Sequence, residues 1–381
     1  MIYLDHELAT PPDEHVIATM KRYMEGQWCG QTAPYAPIHS EEKQAKESIY
    51  KLAGADPEDY FVFTSSGAEA VNHVLFSTYM NVTRKTGKHH FMCSALDEAP
   101  AILGMMRLEE LGGHFQMVKA SSEGIVTVKE VAQTLTPRTA LLSLSWANGL
   151  TGVIQPLEDI VALCEERGIL LHVDATHVLG KGHFPFHKCG AHFMTFDGEP
   201  LGAPAGTGGM FISKRIESTP LIVGGYEQHS LRAGSLSLPL FYGLAEAAKG
   251  AHERADLFCI QSALLRHQFE QALVERLGAK VFFESQMRLP HITALGFLGV
   301  TSEALCYLLA RRKVYANMGG NRFQQLVNLL KACAISSPLC HGGLSFALGP
   351  TTTEEQIALA VQQIVDVVGC LKRYSEHLIH E

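Results

Sequence analysis

The stretch from Gly168 to Phe211 constrains this chain more than any other. Two runs, Ile169–Val173 and His192–Phe196, each lead into a carboxylate, Asp174 and Asp197. A glycine-rich turn follows the second run and leads into a third strand that reaches Phe211. A short strand that is apolar throughout is buried on both faces, which requires helices above and below the sheet. A polar strand end followed by a glycine-rich turn is how open α/β sheets build sites at their C-terminal edges.

Strand and helix alternate around this segment. Strands are predicted at Phe61–Phe63, Phe91–Ser94, Phe115–Val118, Ala140–Leu144, Ile169–Asp174, Phe193–Phe196 and Gly209–Ser213. Helices are predicted at Gly67–Met80, Ala101–Leu111, Val128–Leu135 and Leu157–Arg167. Repeated β-α units of this kind predict a mostly parallel sheet with helices on both faces. Earlier in the chain, residues 1–12 read as an arm stopped by Pro11-Pro12, and Asp13–Tyr23 has helical spacing. Gly26–His39 reads as a loop, and Ser40 caps a helix that runs to Ala53 with Gly54 as its terminator. Later, Leu238–Leu277 is almost continuously helical and reads as a long connector, with the domain change near Ala255. Strands Lys280–Phe283 and Ile292–Phe297, then helices Ser302–Lys313 and Thr353–Leu371, make a small α+β unit. The predicted organisation is an N-terminal arm (1–12), a large α/β domain (13–255) and a small C-terminal α+β domain (256–381).

Charge and composition narrow the partners. A net charge of −8 argues against a nucleic-acid or anionic-membrane surface, both of which demand a basic face. No run approaches the ~18 apolar residues of a membrane span. The opening MIYLDHEL has neither a basic n-region nor an apolar h-region, so no signal peptide and a cytoplasmic location are expected. The 9 cysteines form no C-x-x-C pair and read as reduced thiols, and no spacing in the chain is specific to a metal site.

Six segments, in order along the chain, carry a family resemblance. They are Ile2–Pro12, Phe63–Ala70, Ser145–Gly152, His172–Phe211, Leu231–Ser235 and Leu344–Gly349. Together they resemble the cysteine desulfurases of the class V aminotransferase group, which are pyridoxal phosphate (PLP) enzymes of fold type I. The resemblance covers nearly the whole chain and implies that fold: a large, mostly parallel α/β domain and a small α+β domain. It also implies a dimer in which the partner subunit roofs the site and Ser235 crosses over.

The departures from the family pattern fall on the chemistry. The family turn Ser-Gly-His-Lys-x-x-Gly-Pro-Lys-Gly is Asp197-Gly198-Glu199-Pro200-Leu201-Gly202-Ala203-Pro204-Ala205-Gly206 here, so Pro200 stands at the Schiff-base lysine. By the same resemblance Ala68 replaces a phosphate-binding threonine after Gly67, and Asp197 replaces a phosphate-binding serine. Glu199 and Glu98 replace two histidines, the second of which stacks on the ring. The region of Asn321 lacks the mobile cysteine, and Ser345 replaces the substrate arginine. Three positions keep the frame. Asp174 matches the partner of the pyridine nitrogen, Ser235 keeps a hydroxyl, and Asn148 is either a ring-hydroxyl contact or a turn residue. His177, in place of a glutamine, either donates to that hydroxyl or is a satisfied core histidine. Neither Lys181 nor Lys214 is placed to substitute for the missing lysine.

A PLP enzyme needs a lysine, a phosphate cradle, an acid at the pyridine nitrogen and a stacking partner. The expectation is therefore a non-catalytic relative that binds no cofactor and serves as a scaffold or partner subunit. It would pair with itself, with an active desulfurase paralogue or with a sulfur-acceptor protein. Two alternatives stand beside it: a pocket reused for another ligand, such as a divalent cation, or an active PLP enzyme with an unusual lysine.

Overall fold

The computed structural model describes residues 1–25 and 39–379; the loop expected over Gly26–His39 lies, apart from His39, outside the described residues. Its centre is a seven-stranded sheet. From edge to edge the strands are Tyr60–Thr64, Gly208–Ile212, Phe193–Asp197, Leu170–Asp174, Thr139–Ser145, His90–Ser94 and His114–Val118. Gly208–Ile212 is antiparallel to both of its neighbours, and the remaining pairings are parallel. The mostly parallel α/β architecture read from the sequence is the one observed.

The predicted strands and helices recur with ends moved by a few residues. Capping chemistry explains several boundaries. Ser66 accepts from Glu69 N and starts the helix Gly67–Thr78. Thr127 and Glu130 form a reciprocal capping box at Val128–Thr134. Gly168, in the left-handed region, ends Glu158–Arg167. The helix expected to stop at Met80 instead continues through a π-turn, Tyr79–Thr83, to a left-handed Gly87. The strand expected over Lys280–Phe283 ends at Val281, and Phe283 adopts a φ of +54° that no strand accommodates. The last helix runs to Ile379, because nothing after Leu371 breaks it.

Aromatic rings fill the space beside the first strands of the sheet. Phe61, Phe196 and Phe211 lie within 6.5 Å of one another, and Tyr50 meets Phe211 edge-on at 5.1 Å. Burying each such ring contributes about 1.5–3 kcal/mol. The helix Leu238–Leu277 runs unbroken through Ala255. Its first half buries Phe241, Leu244 and Ala248 in this core, and its second half buries Phe269 and Leu273 in another. That second core lies under a three-stranded antiparallel sheet, Gly343–Ala347, Ile292–Gly296 and Lys280–Val281. The arm joins it: Ile2–Tyr3 pairs in parallel with Val314–Tyr315, and Ala347 N donates to Leu4 O. Among the described residues, no helix is long and apolar enough to cross a membrane.

Candidate functional site

Sheet register brings the two carboxylates of the central stretch to one edge. Asp174 ends its strand opposite Thr195, and Asp197 ends the next strand two residues further on. The head of the helix Gly67–Thr78 meets them there. Gly208 permits that approach, because a Cβ on it would lie 2.4 Å from the Ser66 carbonyl carbon. The result is a direct bond in which Gly67 N donates to Asp197 Oδ2 at 3.1 Å. The other oxygen, Oδ1, accepts from Glu199 N at 3.0 Å. The first N–H of a helix is the usual seat of a phosphate. Here the chain fills it with its own carboxylate.

Pro200 lies buried in a single 3-10 turn, Glu199–Leu201, and offers no amine. Burial, and then the neighbouring Asp197, pushes the Glu199 carboxyl above its ordinary range. Ala68 is exposed on the first turn of the helix. The next residue, Glu69, takes Ser65 N at 2.7 Å and pairs with Arg232 at 2.7 Å. Ser235, three residues beyond Arg232, is exposed.

The position expected to stack on a ring, Glu98, turns inward to His177. The Nε2 of His177 bonds Glu98 Oε1 at 2.5 Å, and its Nδ1 bonds Glu7 Oε2. The ring is 2% exposed, and both of its nitrogens bond to carboxylates of the chain. Burial disfavours the His177 cation, but Glu98 and Glu7 on either side outweigh it and raise its pKa to about 10. Glu7 also accepts from His291 Nε2 at 2.5 Å. Burial pushes the Glu7 carboxyl up, but the His291 and His177 rings hold it well below the usual carboxylate range. His291 itself is driven down to about 4 by burial, so near pH 7 it is a neutral donor. Asp174 is raised to about 6 by burial, with Glu98 adding to the shift.

Asn148 is a turn residue. Its Oδ1 accepts from Leu150 N and Thr151 N, and its Nδ2 donates to Leu96 O. Gly149 follows it. A Cβ there would lie 2.4 Å from His177 and 2.7 Å from Phe323. The glycine therefore makes room for the groups that fill the cleft. Ser345, in place of the substrate arginine, donates its hydroxyl to Leu150 O at 2.7 Å.

Arg322 and Phe323 were not singled out in the sequence. They enter the cleft from the segment where a mobile cysteine was sought. Arg322 Nη1 lies 3.6 Å from Asp197 Oδ1, and Nε lies 3.9 Å from Glu98 Oε2. Its Nη2 donates to the carbonyls of Glu7 and Leu8. The signals that could have found this network were the polar His6-Glu7 pair in the arm and the arginine beside Asn321. Lys181 is buried, 3.8 Å from Glu7 Oε1 and over the Phe258 ring. Glu7 gives its other oxygen to His177, so a carboxylate separates that lysine from the cleft. Lys214 pairs at the surface with Asp56 and Glu58. Among the described residues, no group of three or more histidines, cysteines or acids is arranged to hold a metal ion.

Comparison with known proteins places this architecture. A family profile described as aminotransferase class-V matches residues 2–359. A cysteine desulfurase of Nostoc sp. is 28% identical, covering 98% of this chain and 94% of its own. The cysteine desulfurase NifS of Azotobacter vinelandii is 26% identical over 99% of this chain and 94% of its own. Among solved structures, a NifS-like protein superposes with a TM-score of 0.88 at 24% identity, covering 97% of this chain and 99% of its own. A NifS-like protein from Rickettsia africae superposes with a TM-score of 0.85 at 19% identity, with the same coverage.

Proposed function

The chain belongs to the aminotransferase class-V family, and from that premise we propose that it is a cysteine desulfurase-like protein that keeps the architecture without the chemistry. Relatives in the family depend on PLP, and the residues here do not fit that cofactor. The observation that carries this reading is the Asp197 carboxylate on the Gly67 N–H, with Arg322 beside it. A dianionic phosphate brought there would meet a fixed negative charge instead of free donors. Pro200 supplies no amine to form a Schiff base, and the Glu98–His177 pair spends both groups on each other.

The role that remains is that of a scaffold or partner subunit, as a homodimer or with an active desulfurase or sulfur-acceptor protein. The 8 described cysteines are free, which accords with a reducing cytoplasm. The test is spectroscopic. Mixed with PLP, the protein is expected to show no aldimine absorbance that survives dialysis and disappears with borohydride. With cysteine, it is expected to release no sulfide or alanine above a blank. A PLP–lysine adduct in a peptide map overturns the reading. Sedimentation at micromolar concentration reports pairing, and a monomer there removes the homodimer.

A further inference from the structure

The loss of a phosphate seat left the cleft with a different selectivity. Four of its polar groups are acceptors: the carboxylates of Asp197 and Glu98 and the carbonyls of Glu7 and Leu8. All four converge on one guanidinium, that of Arg322. The Phe323 ring lies 5.2 Å from its central carbon. A planar fork of N–H donors against carboxylates and an aromatic face is the environment that distinguishes guanidinium from ammonium.

The resident group fits only in part. Arg322 Nε is shielded from solvent and has no hydrogen-bond partner, because Glu98 Oε2 stands 3.9 Å away. The cause is the tether. One backbone and two side-chain hydrogen bonds pin the loop, from Ala99 N to Arg322 O at 2.8 Å and from Gln324 Nε2 to Ala95 O and Asp97 O at 2.8 and 2.7 Å. A side chain held at that distance cannot centre its fork between Asp197 and Glu98, whereas an untethered guanidinium can. The loop turns on three successive residues in the left-handed region. Gly319, Gly320 and Asn321 have φ of +87°, +102° and +58°, and a Cβ on Gly320 would touch nothing.

We propose that this cleft is a guanidinium receptor, closed in the resting protein by the chain's own Arg322 and open to a guanidinium-bearing ligand when the loop Met318–Gln325 swings out. The proposal rests on the cofactor-free reading above. In it, the ancestral anion site has become a cation site. The arm, which supplies two carbonyls, closes over the ligand together with the loop.

Calorimetry with methylguanidinium tests it directly. Arg322→Ala empties the seat, and it is expected to bind one methylguanidinium per chain at least about tenfold more tightly than the wild type, which is self-occupied. Adding Asp197→Asn to that variant removes the binding. A folded Arg322→Ala protein that takes up no methylguanidinium overturns the proposal, as does uptake unaffected by Asp197→Asn. If Arg322→Ala does not fold, Arg322→Gln, whose amide keeps a donor for the Glu7 and Leu8 carbonyls, takes its place with the same two outcomes. Agmatine and an N-acetyl arginine amide then separate a free guanidino compound from an arginine presented by a peptide, by which of them binds more tightly. An aldimine formed by the wild type would defeat the cofactor-free reading, whereas the calorimetry addresses the guanidinium seat alone, so the two failures are distinguishable.

Discussion

Glu7, His177 and Glu98 form a line of charge in which the middle member is cut off from water and both of its nitrogens are taken. A buried ionic group is tolerated when every partner is present and becomes costly when one is removed. Glu7→Gln leaves the His177 cation with one carboxylate and converts an acceptor shared by two rings into an amide. The expected cost is about 3–5 kcal/mol of unfolding free energy, read from urea denaturation. Glu7→Gln with His177→Gln removes the stranded charge and should cost less than the two single changes added together. Additive costs would mean that Glu7 and His177 are not coupled. The polar pair His6-Glu7 in the arm was visible in the sequence. Its meaning was not, because Glu7 and His177 are 170 residues apart and only the fold brings them together.

At the scale of elements, the turn Asp197–Gly206 and the helix Gly67–Thr78 act as one unit, joined by the Asp197–Gly67 bond. From this bond, a lysine at position 200 is expected to be insufficient by itself for PLP binding. Pro200→Lys adds an amine, but the helix head still carries Asp197, and Glu98 still faces His177. That single variant is expected to form no stable aldimine with PLP. The combined set Pro200→Lys, Glu199→His, Asp197→Ser, Ala68→Thr and Glu98→His clears the helix head and is expected to give at least a weak one. Each regained phosphate contact contributes on the order of 1.5–3 kcal/mol as a charged hydrogen bond. Absorbance near the aldimine band decides it, and firm PLP binding by Pro200→Lys alone would show that Asp197 does not close the site. The strand ends, the turn and the helix head were legible in the sequence because their signals are local. Arg322 was not, because nothing local distinguishes a surface arginine from one that folds back into a cleft.

Across the whole molecule, burial of titratable groups sets the response to pH. Five histidines, His6, His73, His172, His192 and His291, are lowered by burial to about 3 or 4. Each contributes stability at neutral pH that is lost as pH falls from the unfolded value near 6.5 toward those folded values. Asp5, Asp97 and Asp174 are raised by burial to about 6 or 7, and they act in the opposite sense over an overlapping window. The histidines outnumber the aspartates, so near pH 5 the unfolded chain binds more protons and stability falls on acidification. His177 runs the other way. Its raised pKa gives stability that is full below about 6.5 and lost as pH rises through about 10. The melting temperature is therefore expected to be lower at pH 5 than at pH 7, and to fall again as pH rises from 7 through about 10. A melting temperature that rises from pH 7 to pH 5 would contradict the buried, neutral state of those histidines.

Local chemistry determined the sheet and its site edge from the sequence alone. Apolar strands, capped helices and glycine turns are short-range patterns, and a doubly covered parallel sheet is how they bury their surface. The family resemblance, and not these patterns, led to the expectation of Pro200 at a lysine position and of carboxylates at positions of phosphate donors. Only the tertiary structure decided where those carboxylates found their counter-charges. Asp197 went to a helix N–H and to Arg322, and Glu98 and Glu7 went to His177. A buried charge must be paired, yet electrostatics does not specify by which residue along the chain. That choice was made by the folding of the arm and the loop Met318–Gln325 onto the strand ends.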